Sequence, residues 1–264
     1  MKLFIMKINK ERLRTNVILG VFKYILIVLL CIGLGDVVAD IIGDSWLGEL
    51  VYLLLSQVLV IYFFWKRRYA NFSFKLNFSF SDIFSLKKLY IWVTVACVGC
   101  VLFDLMLQEI LPIEAWDTMF NSVEAEPSSY IVFDILALCL FAPLVEEAVC
   151  RGAIERRLLE RFRNPWIAIV ISAIIFSAMH LNLTQGITFL GILLGWVYYC
   201  TRNLWPCIFI HALNNILIIL SGFIYDTSVS LGFSIPILVA SIAILYYSMR
   251  QIGRITKMHN PSSS

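Results

Sequence analysis

Apolar residues are grouped along this chain into eight runs, each bounded by charged or helix-breaking residues. Most runs approach the roughly 20 residues that a helix rising about 1.5 Å per residue needs to cross a bilayer core. No segment alternates apolar and polar residues with the period typical of strands. The pattern therefore predicts an all-α fold, a polytopic membrane bundle of about eight transmembrane helices. The expected spans are 17–43, 48–65, 89–108, 130–151, 165–181, 187–202, 206–223 and 229–248.

Positive charge is concentrated in alternate connections between these spans. Lysine and arginine occur in the arm before the first span, in the 66–88 loop, in the 151–163 segment and in the C-terminal tail. The connections of the other set are acidic. The positive-inside rule then predicts a multi-pass protein of the cell membrane with both termini in the cytoplasm. The repeated Phe-Ser pairs of the 66–88 loop are expected to lie at the membrane interface.

Composition agrees with a membrane protein and narrows its partners. The chain is 60% hydrophobic and 15% charged, whereas about a quarter of a soluble domain is charged. The net charge of +3 is small, and no basic stripe is interleaved with aromatic residues, so we expect no nucleic-acid partner. Seven cysteines, an odd number, are scattered through the apolar runs. They do not indicate a disulfide framework, and Cys97 and Cys100 are interpreted as packing residues.

Ionisable side chains occur inside the spans after residue 140, where each must find a partner or a water-filled cavity. Glu147 and Arg151 are four residues apart with the acid first, so a structural ion pair is one interpretation. Glu146 points about 100° away from Glu147 around the helix and has no basic residue three or four positions later. It therefore needs a partner from another helix. His180 and His211, two of the three histidines, also lie in spans, where a histidine is often only a hydrogen bonder between helices.

Helix geometry predicts that these side chains meet at one depth. Glu146 lies about 18 residues before the turn near residue 165 and His180 about 15 after it, or roughly 27 and 23 Å along antiparallel helices. His211 lies about six residues, or roughly 9 Å, inside the same surface. Phe176 is one turn before His180 and Asn215 one turn after His211, so we expect an aromatic ring and an amide beside the two imidazoles.

A carboxylate and an imidazole that share a water molecule form a general-base pair. A second histidine and an asparagine can supply hydrogen bonds where an oxyanion develops. These groups are the minimum that a hydrolase requires. The same residues allow a rival chemistry, because two histidines and one glutamate with an open position form a catalytic zinc site. The ligands would then be Glu146, His180 and His211, although the HExxH spacing is absent.

Three short motifs in this region resemble a known family. The stretches 146-EEAVCR-151, 176-FSAMH-180 and 211-HALNN-215 match the patterns EExxxR, FxxxH and HxxxN in order, all within spans. Together with the stretch 186–215 that links the last two, they resemble the CAAX protease and bacteriocin-processing family of intramembrane proteases, also called the Abi family. The resemblance covers about residues 130–220.

The resemblance implies an eight-helix bundle with a cytoplasm-facing cavity. Glu146 and His180 would activate the water, and His211 with Asn215 would stabilise the oxyanion. The glutamate mechanism without a cofactor is favoured, and zinc is the alternative. The chain would divide into an arm with three helices (1–129), the catalytic core (130–220) and the last helix with its tail (221–264). The supporting residues would be Glu147, Arg151 and Phe176.

Two functions of different classes follow. The first is an intramembrane endopeptidase that hydrolyses a peptide bond in a peptide or membrane-protein precursor, such as a pheromone, a bacteriocin or a CAAX-like substrate. The second is a non-enzymatic membrane partner, either an immunity protein or a modulator of a sensor, in which the polar cluster is structural. A transporter is disfavoured because the polar groups cluster towards one face. The polar break at 181–186 is expected to border the substrate path.

Overall fold

The computed structural model describes residues 2–43, 45–66, 83–110, 135–180, 185–224 and 231–259. Within these ranges the chain forms eight helices and no strand, which confirms the predicted all-α bundle. Five stretches are long and apolar enough to cross a membrane, and two shorter apolar helices accompany them. The helices are α1 (Lys2–Ile42), α2 (46–66), α3 (Ile83–Ile110), α4 (135–161), α5 (Pro165–Met179), α6 (Gln185–Thr201), α7 (Leu204–Ile224) and α8 (Leu231–His259).

Helices α2 and α4 contain π-helical turns. In α2 one turn, Leu54–Val58, separates two α-helical segments, Trp46–Leu53 and Leu59–Lys66. Helix α4 has two such turns, at Ala137–Phe141 and Cys150–Glu155. They flank the α-helical segment Ala142–Val149, and a final α-helical segment, Arg156–Arg161, follows them. Among the described residues of α4, π-helical turns therefore lie on both sides of the segment that carries Glu146 and Glu147.

Two helices extend well beyond the predicted spans. The N-terminal arm is continuous with the first span, because α1 begins at Lys2. Helix α4 does not end at residue 151 but continues to Arg161. It remains packed in the bundle there, since the Arg157 guanidinium lies 5.0 Å from the centre of the Tyr24 ring on α1. Residues 67–82, which include the Phe-Ser pairs, and residues 181–184 of the polar break lie outside the described residues.

Basic side chains lie at the end of α2, the start of α3, the end of α4, between α6 and α7 and near the end of α8, which is a single end of a bundle in which successive helices are antiparallel. We call this the basic end; it is formed by Lys66, Lys87, Lys88, Arg161, Arg202 and Arg254. The arrangement agrees with the charge pattern of the sequence. That this end faces the cytoplasm stays a prediction.

The outer surface of the bundle is apolar, as a bilayer requires. Phe22 is 65% exposed, Ile41 79% and Phe233 69%. Such large exposed apolar surfaces are rare on soluble monomers. Near the basic end, Trp166 stacks on Trp196 with 5.1 Å between the ring centres, and amphipathic aromatic rings are typical of a membrane interface. The protein is therefore a membrane protein.

Small residues allow α3 and α8 to pack closely along much of their length. Ser234, Ser241 and Ser248 on α8 are seven residues apart and fully buried. On α3, a side chain added at Gly99 would place its Cβ 2.9 Å from a methyl group of Ile244. Small residues are favoured between membrane helices because they let the backbones approach and gain van der Waals contact. Helix α8 is thereby fixed to the bundle that supports the site.

Glycines allow the same close approach between α5 and α6. A Cβ at Gly191 would lie 3.0 Å from the Cβ and 3.1 Å from the Cα of Ala173. A Cβ at Gly195 would lie 3.0 Å from a methyl group of Ile169. These contacts leave no free volume for a side chain. Because α5 ends at the histidine of the site, the spacing of α5 and α6 sets where that histidine lies.

We therefore expect Gly191→Val to destabilise the bundle, by roughly 1–3 kcal/mol, because overpacking forces the two backbones apart. The measurement is unfolding in detergent micelles. Gly33→Val is the matched control, since a Cβ at this helical glycine of α1 would meet no atom within 4 Å. Equal stabilities of the two variants would contradict the close α5–α6 contact.

Candidate active site

Three helices bring one glutamate and two histidines together. Glu146 lies on α4, His180 directly follows α5, and His211 lies on α7. Glu146 Oε2 is 3.3 Å from His180 Nε2 and 3.8 Å from His211 Nε2. The structure therefore places these side chains at one depth, as the helix arithmetic predicted.

Solvent reaches only part of this cluster. The side chains of Glu146 and His180 are 22% and 25% exposed, whereas that of His211 is 3% exposed. Glu146 Oε2 has no hydrogen-bond partner within the described residues. The Oε2 atom is itself buried, so a water molecule would have to reach it past the exposed parts of the Glu146 and His180 side chains.

The tautomer of His180 follows from its backbone partner. Its Nδ1 lies 2.8 Å from the carbonyl oxygen of Phe176, and because a carbonyl only accepts, Nδ1 must carry the proton and donate it. In a neutral ring Nε2 would then turn a lone pair towards the Glu146 carboxylate. That contact is favourable only if a proton lies between Nε2 and Oε2 or if a water molecule donates to both. Glu146 and His180 are thus arranged to share a proton.

Glu147 is set differently from its neighbour. It is fully buried, and its Oε1 accepts hydrogen bonds from Arg151 Nη1 at 3.1 Å and from His211 Nδ1 at 3.0 Å. Arg151 is also fully buried and donates through Nη2 to the carbonyl of Gly191 on α6, at 3.0 Å. The predicted pair of Glu147 and Arg151 is present, but in the core of the bundle and bound to His211.

Phe176 is the aromatic centre of the site. Its ring, which is 1% exposed, lies 4.7 Å from the ring centre of His180 and 5.5 Å from that of His211, both approached by an edge. The Arg151 guanidinium carbon lies 4.4 Å from the same ring centre, a cation–π distance. Phe176 therefore contacts three polar side chains from three helices and restricts the freedom of each.

Asn215 is placed at the edge of the cluster. Its Nδ2 donates to the carbonyl of Leu138 at 2.7 Å, in the first π-helical turn of α4. This bond ties α7 to α4 and satisfies a carbonyl beside that turn. Asn215 is thus one turn from His211, as predicted, but its amide is not directed at Glu146 in this arrangement. The neighbouring Asn214 is 5% exposed.

Glu155 was missed as a member of this region. Its sequence lies in a charged stretch that predicted a solvent-exposed turn, yet the residue is fully buried. Its Oε2 lies 4.0 Å from Arg151 Nε. The available signal was the spacing of Glu147, Arg151 and Glu155, each four residues after the last, which places all three on one side of a helix.

Gly186, the second residue of α6, lies against α3. Helix α5 ends at Met179, and α6 begins at Gln185. Gly186 is buried, and a Cβ there would overlap the carboxylate of Asp104. Gly186 therefore faces protein, and the predicted contact of residues 181–184 with substrate falls outside the described residues.

Part of the arrangement is compatible with metal chemistry. Both Nε2 atoms face Glu146, and the opposite ring nitrogens bind a backbone carbonyl and a carboxylate, as is common for zinc-ligating histidines. In the described ranges, however, no group of three or more His, Cys, Asp and Glu side chains is set out to hold a metal ion.

An open apolar cavity of about 310 Å³ lies beside the site, between α3, α4 and α7. Its lining includes Tyr90, Trp205, Phe209 and Ala212. Ala212 directly follows His211, and another lining residue, Cys139, directly follows the residue that binds Asn215. The polar side chains of the site do not line this cavity, but two of its lining residues are chain neighbours of residues that belong to the site or contact it.

The arrangement is suited to hydrolysis. The carboxylate of the partly exposed Glu146 lies beside the imidazole of His180, and the second imidazole, His211, is fixed by the buried carboxylate of Glu147. The described cysteines are all free thiols, and those of the core, such as Cys150 and Cys207, are buried among helices.

Comparison with known proteins agrees with this chemistry. The family model described as "Type II CAAX prenyl endopeptidase Rce1-like" matches residues 128–217, about a third of the chain. The matched segment includes Glu146, Phe176, His180, His211 and Asn215. No curated protein and no solved structure matches the chain significantly. The resemblance to the CAAX proteases seen in the sequence is thereby confirmed for the segment that carries the candidate site.

Proposed function

We propose that this protein is an intramembrane endopeptidase that hydrolyses a peptide bond with a water molecule activated by Glu146 and His180. The observation that supports it most directly is the position of Glu146 Oε2, 3.3 Å from one imidazole and 3.8 Å from another, on a side chain that solvent reaches. The Rce1-like match supports the same reaction class. It does not favour the non-enzymatic alternative.

In the proposed first step, a water molecule hydrogen-bonded to Glu146 and next to His180 attacks the carbonyl carbon of the scissile bond. A carbon–oxygen bond forms, the water proton passes to the Glu146 carboxylate, and the electrons of the carbonyl double bond move to its oxygen. In the second step the tetrahedral intermediate collapses, the carbon–nitrogen bond breaks, and the proton held between Glu146 and His180 passes to the leaving amine.

His211 is the proposed donor to the oxyanion. When its ring is protonated, Nδ1–H stays on Glu147 and Nε2–H is free to bind the developing negative charge. Such preorganised donors are strong in a low-dielectric site. Asn215 would be the second donor, and this role requires its Nδ2 to exchange the Leu138 carbonyl for the substrate oxygen. Glu147, Arg151 and Phe176 support the site, since each contacts His211 or a neighbour of His211.

The substrate proposed is a membrane-associated precursor or peptide. A site within a bundle of apolar helices is reached most directly by a chain already held at the membrane. The apolar cavity beside Ala212 supports a substrate that carries an apolar side chain or a lipid near the scissile bond. A CAAX-like, pheromone or bacteriocin precursor fits this description.

Glu146→Gln is expected to lower kcat by at least about 100-fold, since removal of a general base costs that much or more. The amide has nearly the same shape, so folding and insertion should be unchanged. The assay uses reconstituted protein and internally quenched CAAX peptides with and without a farnesyl group on the cysteine. Glu160→Gln is the control, because Glu160 is exposed on the same helix. Undiminished cleavage by Glu146→Gln would exclude this mechanism.

We also predict that activity does not depend on a metal. Purified protein should contain far less than stoichiometric zinc by elemental mass spectrometry. Dialysis against a chelator should leave the cleavage rate of the same peptides unchanged. Stoichiometric zinc, together with a chelator-induced loss that zinc restores, would replace the glutamate mechanism by a zinc site of Glu146, His180 and His211.

A further inference from the structure

Glu155 is a buried acid that the proposed reaction does not use. It is the last residue of the π-helical turn Cys150–Glu155 and is fully buried. The Ser172 hydroxyl of α5 lies near its carboxylate but donates to the carbonyl of Cys150, so neither carboxylate oxygen accepts a hydrogen bond in the described part of the chain. An acid in this state is expensive to bury. A feature that is costly for folding and is nevertheless present calls for a functional explanation.

The surroundings of Glu155 form a specific place for its carboxylate. On its own helix, Oε2 lies 4.0 Å from Arg151 Nε. On α6, a Cβ at Gly195 would lie 2.9 Å from the same oxygen, so any residue other than glycine would displace the carboxylate. The small residue that brings α6 close to α5 therefore also makes room for Glu155.

Arg151 links this acid to the site. Its Nη1 and Nη2 are bound to Glu147 and to the carbonyl of Gly191. Its Nε has no hydrogen-bond partner among the described residues. The Glu155 carboxylate faces this side of the guanidinium, with Oε2 4.0 Å from Nε. Arg151 thus lies between two buried acids, and the acid on the other side, Glu147, holds His211.

We propose that Glu155 is a positioning residue of the site that acts through Arg151. Its negative charge holds the guanidinium from the Nε side, so that Nη1 stays on Glu147 and the Glu147–His211 bond keeps its direction. The inference rests on the proposed function and extends it by one residue. Glu155 contributes little to stability, because its charge is buried without hydrogen bonds and Arg151 is already paired with Glu147.

The test compares activity and stability in Glu155→Gln, which removes the charge and keeps the shape. We expect kcat on the cleaved quenched CAAX peptide to fall about 10- to 100-fold, as small misplacements of catalytic groups commonly cause. KM should change by less than about twofold, and the unfolding temperature should be unchanged or higher. Glu155→Asp, which restores the charge, should recover part of kcat. Glu160→Gln, five residues further on the same helix, should leave every value unchanged.

A second readout does not depend on proteolysis. The chain has three histidines, so ¹⁵N-histidine labelling gives three imidazole spin systems, which single His→Gln variants assign. Glu155→Gln should shift the Nδ1 signal of His211, which reports its bond to Glu147, and should leave that of His259 unchanged. Glu160→Gln should shift neither signal.

The outcomes separate this inference from the proposed function. If Glu155→Gln keeps kcat within about twofold, or if its His211 signal does not move, Glu155 is not a positioning residue. If the variant loses activity and stability together, and the aspartate variant does not recover kcat, Glu155 is structural and the inference is again wrong. If the wild type cleaves none of the peptides, the proposed function fails, and the His211 signal alone decides the inference.

Discussion

The site depends on burying one guanidinium. Arg151 has no exposed surface in a bundle whose exterior is apolar, and an unpaired charge in such surroundings costs several kcal/mol or more. Its partners come from three helices: the carboxylate of Glu147 on α4, the carbonyl of Gly191 on α6 and the ring of Phe176 on α5. Because all three must be in place to pay that cost, the helices can hardly shift relative to one another without exposing the charge. The side chains of the site, which lie on these helices, are therefore held in fixed relative positions.

The π-helical turns of α4 explain why one helix can supply so many of these groups. A π turn widens the helix, so residues four apart come closer to one line along its surface than they do in an α-helix. The turn Cys150–Glu155 includes both Arg151 and Glu155, and Glu147 precedes it by one turn. Single π turns are frequent at functional sites. In α4 the irregularity directs three charged side chains into the same region between α5, α6 and α7.

The sequence predicted the meeting of Glu146, His180 and His211 because that meeting depends on quantities that hardly vary: helix rise, antiparallel neighbours and short turns. The helix count followed from apolar run length for the same reason. The burial of Glu155 could not be read in this way. Its charged neighbours in the sequence indicated a solvent-exposed residue. In the structure it is fully buried, because α6 packs against its carboxylate at Gly195, a contact between helices that are far apart in the sequence. The hydrogen bond from Asn215 to a carbonyl of the π-helical turn could not be predicted either, because nothing in the sequence indicates that turn.

The adjacent glutamates show how environment divides labour between identical groups. Glu147 is fully buried and its Oε1 accepts two hydrogen bonds from cationic or potentially cationic donors, so its charge is committed to holding Arg151 and His211. Glu146, one residue earlier, is partly exposed and its Oε2 has no hydrogen-bond partner within the described residues. Glu147 also has one oxygen, Oε2, without a hydrogen-bond partner in the described residues. The difference is access: Glu147 is fully buried, whereas the side chain of Glu146 is partly exposed and lies beside two imidazoles. Successive residues of a helix point about 100° apart. That rotation is enough to direct Glu147 towards Arg151 and His211 in the core and Glu146 towards the proposed site of reaction.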